Sequence, residues 1–252
     1  MRDKHYDIVI VGSGAGGGAV AKELSSLSRE NVRIAVLECG PRLREDEYTG
    51  RELEMAERLY FESGGVLTKD GSLTLAFGRA YGGSTVVYTG TSLALSRDTF
   101  ARWNVAGLDY DDLQARSRKY MADNHVHLLP AEAINDNNRL FADACRALGY
   151  RVEQFPINVN GCRGAGLCNL GCPNGAKMGT HRVQLPEAER NGVEVITNCA
   201  VERVEDRTLY ARVEPGKIGY PSAWEPGDYR IRAKAVIMAA GAVNSPAILL
   251  RS

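Results

Sequence analysis

Four residues near the N-terminus have the types and spacing needed to hold a dinucleotide. Gly12, Gly14 and Gly17 follow one apolar run, and Glu38 ends the next. In this GxGxxG pattern the first glycine allows a tight turn, the second lets the backbone approach a pyrophosphate, and the third lets a helix pack close to the strand. A helix N-terminus favours negative charge, and an acid after the second strand can accept hydrogen bonds from a ribose diol. The pattern predicts a dinucleotide site.

Two further glycine-containing segments follow apolar or mixed stretches. One is the loop 78–85, which contains Gly82, Gly83 and Ser84. Taken alone, its glycines could also mark an ordinary turn. The other is the passage 236–252, where an apolar run typical of a buried parallel strand ends at Gly241 and leads into a second helix start.

Three of the six cysteines lie in one short loop, at Cys162, Cys168 and Cys172. The loop compares with the ferredoxin run C-x2-C-x2-C-x3-C-P, with Ala165 in place of the second cysteine. Three thiolates without the fourth suit a [3Fe-4S] cluster. The alternatives are a zinc site that uses His181 as well, and a packed glycine loop without metal.

The composition limits the class of protein. The 252 residues include 31 basic and 31 acidic side chains, so no nucleic acid or anionic surface is indicated as a partner. No apolar run reaches the roughly 20 residues of a membrane span, and no secretory leader precedes the first strand. A soluble, cytoplasmic protein is expected.

The hydrophobic patterns predict an α/β fold with a central parallel sheet, Rossmann-like, with an inserted and partly helical segment. The expected domain pieces are 1–91 and 190–252 for nucleotide binding and 92–189 for a substrate or cap segment. Helices are predicted at 19–27, 51–61, 110–124 and 138–148, a hairpin turn at 69–72, and strands at 193–204, 229–232 and 234–241.

The three glycine segments, in this order and spacing, resemble the glucose-methanol-choline (GMC) oxidoreductase family of FAD enzymes. The resemblance implies that Gly12, Gly14 and Gly17 hold the pyrophosphate of FAD and that Glu38 holds the adenosine ribose. It also implies that Gly82, Gly83 and Ser84 direct backbone N–H groups to the flavin side of the cofactor. The backbone of Val201 would contact the adenine, and Ala240 and Gly241 would pass beside the pyrophosphate and the ribityl chain.

The resemblance also shows departures. Many family members have Asn where Tyr88 stands, close to the flavin. The family's catalytic pair, His with His or Asn, lies downstream of the last motif, and the four histidines here match no catalytic position: His5, His125, His127 and His181. The sequence is therefore expected to be the N-terminal half of the family fold, as a truncated sequence or as one chain of a split enzyme, and to be inactive alone.

The cysteine loop carries two competing resemblances. One is to the catalytic subunits of bacterial FAD-dependent glucose and fructose dehydrogenases, which pass electrons through such a cluster. The other is to single-chain GMC enzymes with a Cys-Pro-x-Gly-Ala-Lys loop, here 172–177, for which no cluster is inferred.

The function predicted first is an FAD-dependent oxidoreductase that takes hydride from the CH–OH group of a small-molecule alcohol to flavin N5. The alternative is a flavin and iron–sulfur electron-transfer subunit that works with an electron-acceptor subunit or with a second chain carrying the C-terminal half. The second and third glycine segments argue against an NAD-dependent dehydrogenase. The alcohol, the electron acceptor and the oligomeric state are left open.

Overall fold

The computed structural model describes residues 1–252. Its chain forms two compact units, here called the sheet unit (1–88, 167–175 and 179–252) and the helical unit (89–166 and 176–178). The predicted insertion 92–189 and the helical unit share 92–166 and 176–178, whereas 167–175 and 179–189 belong to the sheet unit. The assignment of 1–91 and 190–252 to nucleotide binding and of 92–189 to a substrate or cap segment stays a prediction.

The sheet unit is built on a six-stranded sheet in the order β7-β2-β1-β10-β9-β8. The strands are β1 (Arg2–Val11), β2 (Ile34–Leu37), β7 (Glu194–Ile196), β8 (Cys199–Glu205), β9 (Thr208–Val213) and β10 (Gly227–Met238). The first four in the order are parallel, and β9 and β8 extend the sheet antiparallel. This confirms the α/β class with a central parallel sheet.

Helices and short strands complete the sheet unit. The helices are α1 (Ala15–Ser28), α2 (Glu52–Leu59), α6 (Gln184–Arg190) and α7 (Gly241–Leu250), and a hairpin joins β3 (Val66–Leu67) to β4 (Thr74–Leu75). The hairpin confirms the predicted turn at 69–72. None of the helices in the chain has the length and apolar character needed to cross a bilayer.

Alternate residues of β1 face two separate cores. Val9 and Val11 lie in one core with side chains of β8, β9 and β10, while Ile10 lies in the other with side chains of α1, β2 and α6. A strand that is covered on both faces has a continuous run of apolar residues, and residues 8–11 form such a run. Because α1 leaves β1 on one face and α7 packs with the other core, β1 and β10 lie at a switch point of the sheet, where α/β proteins bind ligands.

The helical unit contains α3 (Arg97–Trp103), α4 (Tyr110–Asp123), α5 (Asp136–Ala147), β5 (Val126–His127) and β6 (Ile157–Asn158). The predicted start of α4 is confirmed, since the Asp109 side chain accepts a hydrogen bond from the Asp112 N–H and caps the helix. Asn135 caps α5 in the same way, through the Asn138 N–H. The unit is closed by Met178, whose carbonyl accepts hydrogen bonds from the amides of Asn124 and Asn158.

Four predicted elements differ from the structure by more than two residues or in their number. The first helix begins at Ala15 rather than at residue 19. The predicted strand 193–204 is two strands, because Asn198 adopts a left-handed φ of 53° and turns the chain. The predicted strands 229–232 and 234–241 are one continuous strand, β10, paired with β1 along most of its length.

Candidate functional site

The carboxyl ends of β1, β2 and β10 bring three glycine segments together. Gly12 has a φ of 98°, and a Cβ there would lie 2.4 Å from the Ala239 carbonyl oxygen. A Cβ on Gly17 would lie 1.9 Å from the Gly12 oxygen, and one on Gly83 would lie 2.8 Å from the Gly14 Cα. Glycine is required at these points because the backbones touch. The structure therefore places the first loop against both the second loop and the end of β10.

The N-terminus of α1 has the properties of an anion site. Gly14 is its N-cap, no side chain caps the helix, and the first turn contains no acid. The hydrogen bond from the Gly18 N–H to the Gly14 oxygen is the first of the helix, so the N–H groups of residues 15–17 in its first turn have no acceptor within the helix. Together with the helix dipole, these groups fit a pyrophosphate, and the absence of a Cβ on Gly14 and Gly16, where a Cβ would meet no protein atom closer than 3.9 Å, leaves room for its close approach.

Glu38 lies at the end of β2 and is 4% exposed. Its Oε2 accepts hydrogen bonds from the Ser13 N–H at 3.0 Å and the Ser13 hydroxyl at 2.6 Å, and its Oε1 accepts one from the Gly40 N–H at 2.8 Å. A buried carboxylate needs such donors. Oε2 already accepts two hydrogen bonds, whereas Oε1 accepts one from an N–H and lies 3.5 Å from the Cys39 thiol, so Oε1 is the atom with capacity for a ribose hydroxyl. The donor set therefore fits the role that the sequence suggested for Glu38.

Two thiols flank this carboxylate. Burial, and then the neighbouring Glu38 charge, raises the pKa of the Cys39 thiol. The same two causes raise the pKa of Cys199, at the start of β8, to about 12. Both thiols are therefore protonated at neutral pH, and neither is poised as a nucleophile.

The second glycine loop uses its N–H groups within the protein. The Gly82 N–H donates to the Ser13 hydroxyl at 2.9 Å, and the Gly83 N–H donates to the Ala80 oxygen at 2.6 Å. The Ser84 hydroxyl accepts from the Gly78 N–H at 2.8 Å. In this structure the loop is thus shaped by two hydrogen bonds of its own and one to the first loop, and the flavin-side role of its N–H groups stays a prediction.

The remaining predicted residues lie at two places. Ala240 is the N-cap of α7, which has no side-chain cap, and Gly241 begins that helix with a φ of 85°. Val201 is buried in the core that β8 shares with β9 and β10, in the same core cluster as Cys199. Ala240 lies against Gly12, where a Cβ on the glycine would be 2.9 Å from the Ala240 Cα. The adenine contact of Val201 stays a prediction.

Sequence reasoning missed two residues that hold the loops together. Ser13 is fully buried between the first two glycines, and Thr180 is 5% exposed. The Thr180 hydroxyl lies 3.1 Å from the Ser13 oxygen and 3.3 Å from the Gly82 oxygen. A polar residue beside a buried acid could have signalled Ser13, because the acid needs donors. Nothing in the sequence marks Thr180.

The three loop cysteines do not form a metal centre in this structure. No group of three or more His, Cys, Asp or Glu side chains is arranged to hold a metal ion. Cys162 is exposed in the helical unit, and Cys168 and Cys172 are partly buried in the sheet unit. A Cβ on Gly164 or Gly166 would meet nothing within 4 Å, so glycine is favoured there by the left-handed backbone, with φ of 68° and 71°. Neither the [3Fe-4S] hypothesis nor the zinc alternative gains support.

A polar cleft of about 250 Å³ lies beside the second glycine loop. Its lining includes Arg42 and Arg182, which are paired with Glu189 and Glu45, and His181, which packs against Gly82. Because both guanidinium groups already have carboxylate partners, the cleft presents no unpaired cation. It does not change the location of the dinucleotide site.

Comparison with known proteins agrees with this architecture. The sequence profile of the GMC oxidoreductase family matches residues 56–252. An uncharacterised GMC-type oxidoreductase of Mycobacterium tuberculosis is 35% identical over 254 residues, which cover 98% of this chain and 39% of the relative. A long-chain-alcohol oxidase of Arabidopsis thaliana is 28% identical over 263 residues, which cover 98% of this chain and 34% of the relative.

Solved structures share the fold at low sequence identity. Pyridoxine 4-oxidase from Mesorbium loti superposes with a TM-score of 0.68 at 20% identity, over 98% of this chain and 52% of that one. Formate oxidase gives 0.65 at 15% identity, over 100% of this chain and 48% of that one. The chain thus spans about half the length of these structures and less of the curated relatives. It belongs to the GMC oxidoreductase family, whose members are FAD-dependent oxidoreductases.

Proposed function

We propose that the chain is the FAD-binding part of an oxidoreductase that oxidises the CH–OH group of a small-molecule alcohol. The observation that carries the proposal is the convergence of the 12–17, 78–83 and 239–241 segments beside the buried Glu38 carboxylate. An uncapped helix, a ribose acceptor and a cradle without Cβ atoms are the parts that an adenine dinucleotide needs. Family membership selects FAD among the dinucleotides.

Each part has one task in this proposal. The first-turn N–H groups of α1 bind the pyrophosphate, and the Glu38 carboxylate accepts hydrogen bonds from the adenosine ribose. Gly12 and Gly17 keep the turn, helix and strand in contact, so the first glycine loop is formed before the ligand arrives. FAD, when bound, supplies the hydride acceptor at flavin N5.

The alcohol substrate is supported by the relatives. Several that match 98% of this chain are named long-chain-alcohol oxidases. No residue of this chain is assigned to proton removal from the alcohol, and no substrate within the alcohols is selected. The electron-transfer alternative, with Cys162, Cys168 and Cys172 as cluster ligands, has no observation in its favour.

Titration of the protein with FAD tests the cofactor part of the proposal. We expect saturable binding with a flavin spectrum, weakened about tenfold or more by Glu38→Gln, because a charged acceptor facing hydroxyl donors is lost. Glu205→Gln is the matched control, since this acid is exposed at the end of β8 and pairs with Arg203. Unchanged affinity in Glu38→Gln would contradict the role of this carboxylate.

Anaerobic addition of primary alcohols tests the reaction in an FAD-loaded protein that joins this chain to the C-terminal half of the family fold, because no residue of this chain is assigned to proton removal. Bleaching of the flavin absorbance by an alcohol, and not by the matching alkane, is the expected result for a CH–OH donor enzyme, and the chain alone is expected to stay oxidised. Iron and acid-labile sulfide are measured on the same sample. About three irons per chain would establish the electron-transfer alternative instead.

A further inference from the structure

Ser13 connects the two sides of the proposed cofactor site through one hydroxyl group. Its Oγ donates to Glu38 Oε2 at 2.6 Å and accepts from the Gly82 N–H at 2.9 Å, with the Ala80 oxygen farther away at 3.4 Å. The side chain is fully buried. The acid expected to meet the ribose and the loop expected to meet the flavin therefore share one hydrogen-bonding partner.

Thr180 adds a second connection behind this hydroxyl. Its Oγ1 lies 3.1 Å from the carbonyl oxygen of Ser13 and 3.3 Å from the carbonyl oxygen of Gly82, so it contacts the backbones of both loops. It also lies 3.0 Å from the hydroxyl of Thr85, which donates to the Gly82 oxygen at 2.6 Å. The second loop is thus held through both the N–H and the carbonyl of Gly82.

The contact between the loops leaves almost no room for a different spacing. A Cβ on Gly83 would lie 2.8 Å from the Gly14 Cα and 3.2 Å from its nitrogen. The two loops touch at Gly14 and Gly83, and hydrogen bonds to Ser13 and Thr180 hold them beside this contact, so few other arrangements are open to them. Leaving the buried Gly82 N–H without its acceptor would cost free energy. Glu38 and Gly82 are therefore joined through the buried Ser13 hydroxyl by two hydrogen bonds.

We propose that Ser13 is a positioning residue that couples occupation of the adenosine side of the site to the order of the second glycine loop. The inference rests on the proposed FAD-binding function and goes beyond it. Binding of an adenine nucleotide fixes Glu38, Glu38 fixes the Ser13 hydroxyl, and the hydroxyl holds the Gly82 N–H. The flavin-side loop is then in its binding-competent form before the flavin is seated, which raises the apparent affinity for FAD.

Amide hydrogen exchange with ADP as the probe tests this coupling, because ADP contains the adenosine and pyrophosphate but no flavin. In the unmodified protein we expect saturating ADP to slow exchange of the Gly82 amide about tenfold. In Ser13→Ala we expect ADP still to bind while the slowing disappears, and FAD to bind about tenfold more weakly. If Ser13→Ala only destabilised the loop, exchange of the Gly82 amide would change by the same factor with and without ADP.

Ser25→Ala is the matched control. Ser25 is 1% exposed in α1, donates to the Lys22 oxygen at 2.7 Å and accepts from the Asn191 amide at 2.8 Å. Ser25→Ala therefore removes one donated and one accepted hydrogen bond of a buried hydroxyl away from the site. We expect this variant to retain the effect of ADP on Gly82.

A nearly isosteric variant keeps the test decisive if Ser13→Ala does not fold. Ser13→Cys fills the same space with a thiol that is a weak donor and acceptor, so it is also expected to lose the ADP effect. Equal slowing in the unmodified protein and in a folded Ser13 variant, or no slowing in the unmodified protein when ADP is bound, would overturn the coupling. Failure of both ADP and FAD to bind the unmodified protein would overturn the proposed function, and the inference with it.

Discussion

The sheet unit and the helical unit bury their side chains to very different extents. Each of the three hydrophobic clusters of the protein is made of sheet-unit residues. In the helical unit, none of the residues of α3, α4 or α5 is buried, and Leu140, Phe141 and Leu148 are 65–74% exposed. The sheet unit thus has a core of its own, while the helical unit depends on caps, turns and surface contacts.

The polar contacts of the helical unit cannot replace a core. Its ion pairs, such as Arg116 with Asp112 and Arg146 with Asp143, join side chains that are mostly exposed. Such pairs typically contribute between 0 and about 1 kcal/mol. We infer that a binding site built on the sheet unit can be preorganised by its core, whereas the helical unit has the lower local stability of the two.

The largest expected difference comes from one substitution made in each unit. Leu209, in β9 of the sheet unit, is fully buried, and Leu140, in α5 of the helical unit, is 70% exposed. Leu209→Ala should lower the free energy of unfolding by about 2–5 kcal/mol, because it removes buried methyl groups and leaves a cavity. Leu140→Ala should change it by less than about 0.5 kcal/mol. Urea unfolding followed by circular dichroism measures both, and similar losses would refute the contrast.

Two adjacent glycines test whether the packed glycine turn is as intolerant as its distances imply. A Cβ on Gly17 would collide with the Gly12 oxygen at 1.9 Å, while one on Gly16 would meet nothing within 4 Å. Gly17→Ala should therefore cost about 1–3 kcal/mol of stability or more, and should weaken FAD binding with it. Gly16→Ala should be neutral or stabilising by up to about 1 kcal/mol, because alanine favours a helix. Unfolding curves of the two variants give the comparison.

These contrasts also explain which features the sequence could predict. The first glycine pattern and Glu38 were readable because each position has its own steric or chemical requirement, and the structure places the glycines in contact and the acid among donors. The start of α4 was readable because the Asp109 cap is local. In each case the structural requirement is met by residues that are close in the sequence, so the sequence pattern alone indicates it.

Features that depend on distant partners were not readable. The start of α1 was predicted four residues late because glycines disfavour helix in isolation, whereas here Gly17 and Gly18 pack against Gly12 and Thr180. The break between β7 and β8 depends on one left-handed residue, Asn198, inside an apolar pattern. The hydroxyl of Ser13 acquires its role only when two loops from different parts of the chain meet.

Thiol reactivity gives a smaller but direct comparison of the two units. Cys162 is exposed in the helical unit, and Cys199 is buried in the sheet unit with a pKa raised to about 12. Since the thiolate is the reactive form, iodoacetamide at pH 8 should modify Cys199 at least about a hundredfold more slowly than Cys162. Mass spectrometry of digests resolves the two sites. In denaturant the rates should converge, and convergence in the folded protein would mean that the start of β8 opens readily.

The smallest expected effect concerns the β3–β4 hairpin, a surface part of the sheet unit that is held by polar contacts. The Asp70 carboxylate accepts hydrogen bonds from the Thr68 hydroxyl at 2.6 Å and from the Ser72 N–H and hydroxyl at 3.2 and 2.9 Å. These bonds lower the pKa of Asp70 from 3.8 to about 2.

Because this pKa is lowered by folding, the carboxylate stabilises the turn above the unfolded pKa, and the stabilisation is lost as the pH falls from about 4 through about 2. Amide exchange at Ser72 should therefore report increasing hairpin opening over this window, while the sheet amides of β1 stay protected. Asp70→Asn should remove the pH dependence, since its amide does not titrate. An Asp70 titration midpoint near 3.8 by NMR would show that the turn hydrogen bonds do not persist in solution.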